Sequence, residues 1–256
     1  MSKRFGATSL STLMLLGVAV LCPTAARAQQ MQMESPLYTY VHFWGVSRDR
    51  WGEMNKNTEE ENKILQRLVA DGTLVSWGAT ESVVHQEDGY TQSGWFQATS
   101  LANILKTLDT LRSSAQASVL VGAKHKDYLM RTLMHGGKTA DLKGGYLQVG
   151  FYQTKPGADQ EWMGLVRQYI KPGLDQMLAD GSITMYNIDA EQIHTDAPGM
   201  HAVAIVVPDG TSLDKLAGFI PALMMKNPGI GLSLESLSVG EAHRDILERV
   251  IAYQHK

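Results

Sequence analysis

Cysteine is almost missing from this chain of 256 residues, since Cys22 is the only one. It falls in an N-terminal stretch with a basic start at Lys3 and Arg4, an apolar run at 10–21, and the small-residue pattern Ala26-x-Ala28. That order is typical of a secretory signal peptide, so we expect cleavage after Ala28 and a signal peptide at 1–28. The remaining 228 residues would then hold no disulfide, thiolate metal site or cysteine nucleophile.

Long apolar runs and positive charge are also scarce. No run after residue 28 reaches membrane-spanning length, so we expect no membrane contact once the signal is removed. Without the signal, the chain has 20 basic and 26 acidic residues and is therefore negatively charged. This charge argues against a nucleic-acid partner, because binding to nucleic acid needs a basic surface. Export without disulfides is typical of a bacterial periplasmic protein that relies on its own core.

The chain contains an internal repeat. VGAKHKDYLMRTL at 121–133 and VGEAHRDILERVI at 239–251 are identical at six of thirteen positions, and each contains a histidine. LVADG recurs as MLADG, and YVHFWG at 40–45 corresponds to QVGFYQ at 148–153 with Val and Phe in register. These pairs predict two related units, 35–140 and 141–256, which the glycine-rich linker HGGKTADLKG joins.

Both units show the same order of predicted elements. Each begins with an alternating, aromatic-rich strand, followed by an amphipathic helix that ends at Gly72 or Gly181, while Pro172 should kink or break the second of these helices. A hairpin and a second helix follow, then a last strand, and the repeated histidine stretch is predicted to be an appended helix. The predicted strands are 38–46, 73–86, 90–98 and 117–122, then 146–154, 182–194, 200–207 and 232–239.

The order strand, helix, strand, strand, helix, strand defines a split βαβ, or ferredoxin-like, unit. Its antiparallel sheet carries helices on one face only, so the bare face must be covered. Two such units in one chain can cover each other, sheet against sheet. We therefore predict an α+β fold of two tandem ferredoxin-like (βαββαβ) units whose antiparallel sheets form an intramolecular barrel.

The segment ILQRLVADGTLVSWGA at 64–79 resembles the helix-to-strand segment of the dimeric α/β-barrel superfamily, in its YCII-like and antibiotic-biosynthesis-monooxygenase-like members. The resemblance implies a tandem, fused form of that fold and, for an enzyme, cofactor-independent monooxygenase- or isomerase-like chemistry. YCII-like proteins carry a histidine on the first helix where this chain has Glu61, so their histidine mechanism does not carry over. Tandem barrels also include chlorite dismutase-like haem proteins, although no stretch here looks specifically like them.

The repeated histidines, His125 and His243, admit two interpretations. On a helix both would lie in the first turn on the apolar side, with Asp127 and Asp245 turned outward and unable to orient them. The first interpretation is structural: each imidazole fixes how the closing helix packs. The second makes one of them a haem ligand or a general base. Their presence in both units favours the structural interpretation.

The first strands hold the other ligand-binding candidates. Alternation places Tyr40, His42 and Trp44 on one face, with Gly150 and Tyr152 on the matching face of the second unit. We expect these residues to face the barrel interior and the Val/Phe set to face the helices. His42 and Trp44 would then fill the first unit, whereas Gly150 would leave room for one pocket in the second. The alternative is that the rings only fill a core.

His201 begins a strand close to His194 across a turn, with Glu191 and Asp196 nearby. That spacing matches no strong metal motif, so we predict no metal site. His42 and His201 remain the candidates for a proton-transfer group.

These residues support three functions. The first is binding of a small hydrophobic or aromatic molecule between the two units, with or without cofactor-independent catalysis. The second is noncovalent haem binding through His125 or His243. The third is a structural or interaction role for a filled barrel. The sequence leaves open whether the protein is an enzyme and whether it is a monomer or a homodimer.

Overall fold

The structure, a computed structural model, describes residues 36–85, 87–114, 118–193 and 198–256. The expected signal peptide at 1–28 lies outside these residues. None of the helices that the structure describes is long and apolar enough to cross a membrane.

Eight strands form a closed antiparallel barrel, in the order β2-β3-β1-β4-β7-β8-β6-β9, and β9 pairs back with β2. A short ninth strand, β5, pairs with the end of β9. The first half of the barrel (β1–β4) and the second half (β6–β9) contribute four strands each, which confirms the predicted α+β fold with its intramolecular barrel. The strands are β1 (Leu37–Gly45), β2 (Ser76–Ser82), β3 (Gln92–Ala98), β4 (Lys124–Gly137), β5 (Ala140–Leu142), β6 (Tyr146–Gln153), β7 (Met185–Glu191), β8 (Met200–Val207) and β9 (Arg244–His255).

Helices cover the outside of each half. Gly72 and Gly181 follow the first helix of each half with φ of 81° and 83°, the left-handed geometry that the C-cap prediction requires. Pro172 does not break the second-half helix, because a π-helical turn at Val166–Ile170 joins α3 to α4 just before it. The helices are α1 (Trp51–Ala70), α2 (Leu101–Ser113), α3 (Asp159–Leu165), α4 (Lys171–Asp180), α5 (Gly210–Lys226) and α6 (Pro228–Leu237).

The repeated histidine stretches are strands, so the predicted appended helices are wrong. They form most of β4 and β9, and the segments predicted as last strands are instead a 3-10 turn at Ser118–Leu120 and helix α6. The physical reason is that one face of these strands fills the barrel interior and the other is partly covered by helices. A strand covered on both faces loses strict alternation and then resembles an amphipathic helix.

The two faces of the first strands are also the reverse of our expectation. Val41, Phe43, Val149 and Phe151 line the barrel interior, where the core leaves a void of only about 50 Å³. The opposite side of each strand, here called the helical face, carries Tyr40, His42, Trp44, Gly150 and Tyr152 and packs toward α1–α2 or α3–α6. The closed ring of eight strands leaves a narrow interior that compact apolar side chains fill.

Candidate functional site

A cavity near these residues lies between the helical face of β6, β8 and β9 and helices α3–α6. This second-half cavity has a volume of about 360 Å³, within the range of small-molecule sites. Most of its wall is apolar, with a few polar groups at the β9 and α6 side. It is lined by Gln148, Gly150, Tyr152, Trp162, Val166, Ile170, Leu174, Val203, Ile205, Leu216, Phe219, Ile220, Met224, Leu234, Glu235, Ser238, Gly240, His243 and Asp245.

Gly150 accounts for the larger space in the second half. The repeat aligns His42 with Gly150 and Trp44 with Tyr152. In the first half, His42 and Trp44 occupy the corresponding space and leave about 20 Å³. A Cβ atom on Gly150 would lie 3.0 Å from both Asp245 Oδ1 and Tyr152 Oη, so a larger side chain there must enter the cavity. The predicted asymmetry between the halves is therefore present, but on the helical face.

His243 and Asp245 form the polar centre of the cavity wall. Both project to the helical face, because His243 has an extended backbone directly before β9 and residues two apart in an extended chain point the same way. His243 Nδ1 lies 3.0 Å from the carbonyl oxygen of Phe151, and Nε2 lies 3.4 Å from Asp245 Oδ2. The carbonyl can only accept, so Nδ1 donates and Nε2 faces the carboxylate. The expectation that Asp245 cannot orient His243 is wrong, because it assumed a helix.

Tyr152 packs against His243 from the side of β6. The two rings stack with centroids 4.6 Å apart, and Trp162 lies 5.7 Å beyond Tyr152. Burial, with a smaller contribution from the negative charge of Asp245, raises the pKa of Tyr152 to about 12. The phenol therefore stays protonated and can donate a hydrogen bond at neutral pH.

His201 lies behind the cavity wall rather than in it. It is buried, its Nε2 is 3.2 Å from Asp159 Oδ1, and its ring stacks on Trp162 with centroids 4.7 Å apart. Burial lowers its pKa, although Asp159 opposes the shift. Its contacts support Trp162, so His201 can position the wall without touching a ligand.

His42 is enclosed between the sheet and α1. Trp44 Nε1 donates to His42 Nδ1 over 3.2 Å, and burial lowers the pKa of His42 to about 4. A neutral imidazole that already accepts a hydrogen bond and has so little space beside it is poorly placed to act on a ligand.

His125 repeats part of the His243 arrangement in the first half. Its Nε2 is 2.8 Å from Asp127 Oδ1, and its ring stacks on Trp44 with centroids 3.7 Å apart. Tyr40 is hydrogen-bonded to the same carboxylate, and burial raises its pKa above the usual range. His125 thus belongs to a packed cluster, and of the two repeated histidines only His243 lines the second-half cavity.

His194, His201 and the nearby acidic residues were also considered from the sequence as metal ligands, and no metal site was predicted. His194 and Asp196 lie outside the described residues. Within the ranges that the structure describes, no group of three or more histidine or acidic side chains could hold a metal ion.

The closed barrel of two βαββαβ units is the dimeric α/β-barrel fold, with both units in one chain. The chain is similar in structure to a candidate monooxygenase from Fusobacterium nucleatum, with a TM-score of 0.65, 10% identity, and coverage of 88% of this chain and 96% of that one. A candidate monooxygenase from Lactobacillus acidophilus is also similar, with a TM-score of 0.61, 9% identity, and coverage of 87% of this chain and 97% of that one. A haem-binding protein from Thermus thermophilus has a TM-score of 0.53 and 12% identity, with coverage of 84% of this chain and 90% of that one. No family model and no curated protein sequence matches the chain.

The sequence placed Gly150 and Tyr152 on one strand face, but it did not place His243 beside them. It missed Asp245 as their partner, as well as Trp162 and the α5–α6 part of the wall. The repeated HxD spacing was the available signal, since on a strand it puts both side chains on one face.

Proposed function

We propose that the protein binds a small hydrophobic or aromatic molecule in the second-half cavity and that His243 exchanges a proton with it. The cavity of about 360 Å³ carries this proposal, because its wall is mostly apolar and holds one histidine–aspartate pair. Small-molecule sites combine an apolar wall with a few placed polar groups in this way.

The chemistry follows from the hydrogen bonds of His243. The bond from Nδ1 to Phe151 holds the ring and fixes which nitrogen meets the ligand. Nε2 accepts a proton from an acidic hydroxyl or C–H group of the ligand, and Asp245 stabilises the imidazolium that results. The protonated phenol of Tyr152 donates to the anion that remains. Formation of such an anion is the first step of monooxygenase- or isomerase-like chemistry, and two structural neighbours are candidate monooxygenases.

The proposal predicts that filling the cavity abolishes binding. Wild-type protein should gain thermal stability from 1-naphthol and from naphthalene, because ligands that bind only the folded state raise Tm. Gly150→Val should lose both effects, since its side chain must enter the cavity. Gly52→Val is the matched control, because a side chain there meets open space on α1.

His243→Gln separates binding from proton transfer. It should keep the stabilisation by naphthalene and weaken that by 1-naphthol, whose hydroxyl needs the imidazole. If Gly150→Val keeps the full stabilisation by both ligands, the second-half cavity is not the binding site.

Haem binding is the second candidate. The hydrogen bond from Nδ1 of His243 to a carbonyl is the arrangement that supports a metal-ligating histidine, and a haem-binding protein shares the fold. In contrast, the described residues that line the cavity include no lysine or arginine to pair with the haem propionates, and Asp245 faces Nε2. His243 would be the iron ligand, and the bound group would supply redox chemistry. A Soret band that forms with haemin and is lost in His243→Ala, but not in His125→Ala, would favour this candidate over the first.

We also propose that the protein is exported to a bacterial periplasm. The basic start, the apolar run at 10–21 and Ala26-x-Ala28 support this proposal. Mass determination of the protein purified from its host tests it, because removal of residues 1–28 leaves a mature protein that begins at Gln29.

A further inference from the structure

A separate opening lies at one end of the barrel, where β4 and β9 begin. It has a volume of about 30 Å³ and adjoins the interior void of about 50 Å³. The walls of the two spaces share Phe43, Tyr128, Phe151, Ile246 and Glu248, so the spaces adjoin at these side chains, and the two together are here called the channel.

Two cations line this opening at equivalent positions of the repeat. Lys126 and Arg244 each follow a repeated histidine, in HKD and HRD. Lys126 Nζ lies 4.7 Å above the Tyr128 ring, and the guanidinium carbon of Arg244 lies 4.6 Å above the Phe151 ring. Both cations are therefore held over the channel wall by cation–π contacts.

Arg244 is oriented but keeps donors for a ligand. Its Nη2 donates to Tyr128 Oη over 3.0 Å, and its Nη1 is 3.9 Å from Asp88 Oδ2, which is longer than a hydrogen bond. A guanidinium has five N–H donors in a fork that matches a carboxylate. Its side chain is 40% exposed, so an anion can approach it from solvent.

The channel behind the cations suits an apolar group. Its inner wall consists mainly of Phe43, Phe151, Ile246 and neighbouring barrel residues. The combined volume is too small for a ring system of the size that the second-half cavity could take.

We propose that this opening is a second binding site, for a short-chain aliphatic carboxylate whose head group meets Arg244 and Lys126 and whose tail enters the barrel. Glu248 lies at the inner end, and burial raises the pKa of its carboxyl. Its Oε2 accepts hydrogen bonds from Thr80 and Ser93, each 2.6 Å long. The site is independent of the function proposed for the second-half cavity.

Binding of butyrate and of its neutral isostere butyramide to the full-length protein tests the site. The reporter is the indole N–H resonance of Trp95, which lines the interior void and is assigned with Trp95→Phe. Butyrate should shift this resonance in a saturable way, and butyramide should not at equal concentration. Arg244→Gln should weaken butyrate binding about tenfold, as expected for the loss of a charge-assisted contact. Lys126→Gln should weaken it as well.

Arg249→Gln is the matched control, because Arg249 lies on the same strand above the Tyr146 ring but does not line the opening. Gly150→Val should also leave butyrate binding unchanged, which separates this site from the second-half cavity. Equal binding of butyramide, or unchanged affinity in folded Arg244→Gln, would overturn the proposal. A butyrate-induced shift of Trp162 in place of Trp95 would overturn it too.

Discussion

At the scale of single residues, one difference between the repeats distinguishes the half whose space between sheet and helices is filled from the half that contains a cavity. His42 occupies the space between sheet and helices in the first half, and Gly150 leaves it free in the second. The same position therefore serves packing in one half and lines a cavity in the other. Nothing in the two residues alone reveals which face of the strand they lie on, because that depends on how the barrel closes.

Asp189 provides a residue-scale prediction about pH. It is buried in the barrel wall, and burial raises its pKa from 3.8 to about 7, with a hydrogen bond to Thr132 opposing the shift. A carboxyl with a raised pKa holds its proton more tightly in the folded state, so the free energy of unfolding falls as pH rises from about 4 to about 7.

Asp189→Asn cannot ionise, so it should raise the free energy of unfolding at pH 8 by on the order of 2–4 kcal/mol and change it little at pH 4. Urea unfolding at pH 4, 6 and 8 measures the difference, with exposed Asp214→Asn as the control. An effect of equal size at all three pH values would show that ionisation of Asp189 is not its cause.

At the scale of elements, most of the fold could be predicted from the sequence, but the repeated segment was predicted as a helix and is mainly a strand. Alternation in β1 and β6, and the glycines after α1 and α4, are local signals and placed those elements correctly. In β4 and β9, Tyr128 and Leu129 are both apolar because each faces a different covered layer, so the local pattern could not distinguish strand from helix. The site depended on that distinction, since it decides whether His243 and Asp245 share a face.

The strand assignment of β4 predicts a contrast between neighbouring positions. Met130 is buried in the barrel core, whereas Arg131 is exposed. Met130→Asp should lower the free energy of unfolding by about 3–5 kcal/mol because it buries an unpaired carboxyl, and Arg131→Asp should change it by less than about 1 kcal/mol. Chemical denaturation of both variants checks this contrast, and similar losses in the two would contradict the strand assignment.

At the scale of the whole molecule, the two halves complete each other. β4 pairs with β7 and β2 pairs with β9, so each half supplies the edges and the apolar inner face that the other needs. The predicted sheet-against-sheet arrangement appears here as one continuous ring. The dimeric α/β-barrel is therefore a single folding unit within residues 36–256.

This dependence predicts that neither half is a stable monomer. Residues 36–139 alone would expose two unpaired strand edges and the inner face around Phe43 and Tyr128, which favours self-association. Light scattering after size-exclusion chromatography should show dimers or aggregates of this fragment. Co-expression with residues 140–256 should restore a species with the mass of residues 36–256, and a well-folded monomeric fragment would refute the prediction.

The pairing of β2 with β9 also sets the order in which the chain can fold. Ser76 pairs with His255, far along the chain, so the ring cannot close until residue 255 has been synthesised. Contacts so distant along the chain slow folding, because the intervening loop must be closed before they form. The growing chain therefore lacks its complete barrel until β9 has been synthesised, and such an open chain is the form that a chaperone can hold.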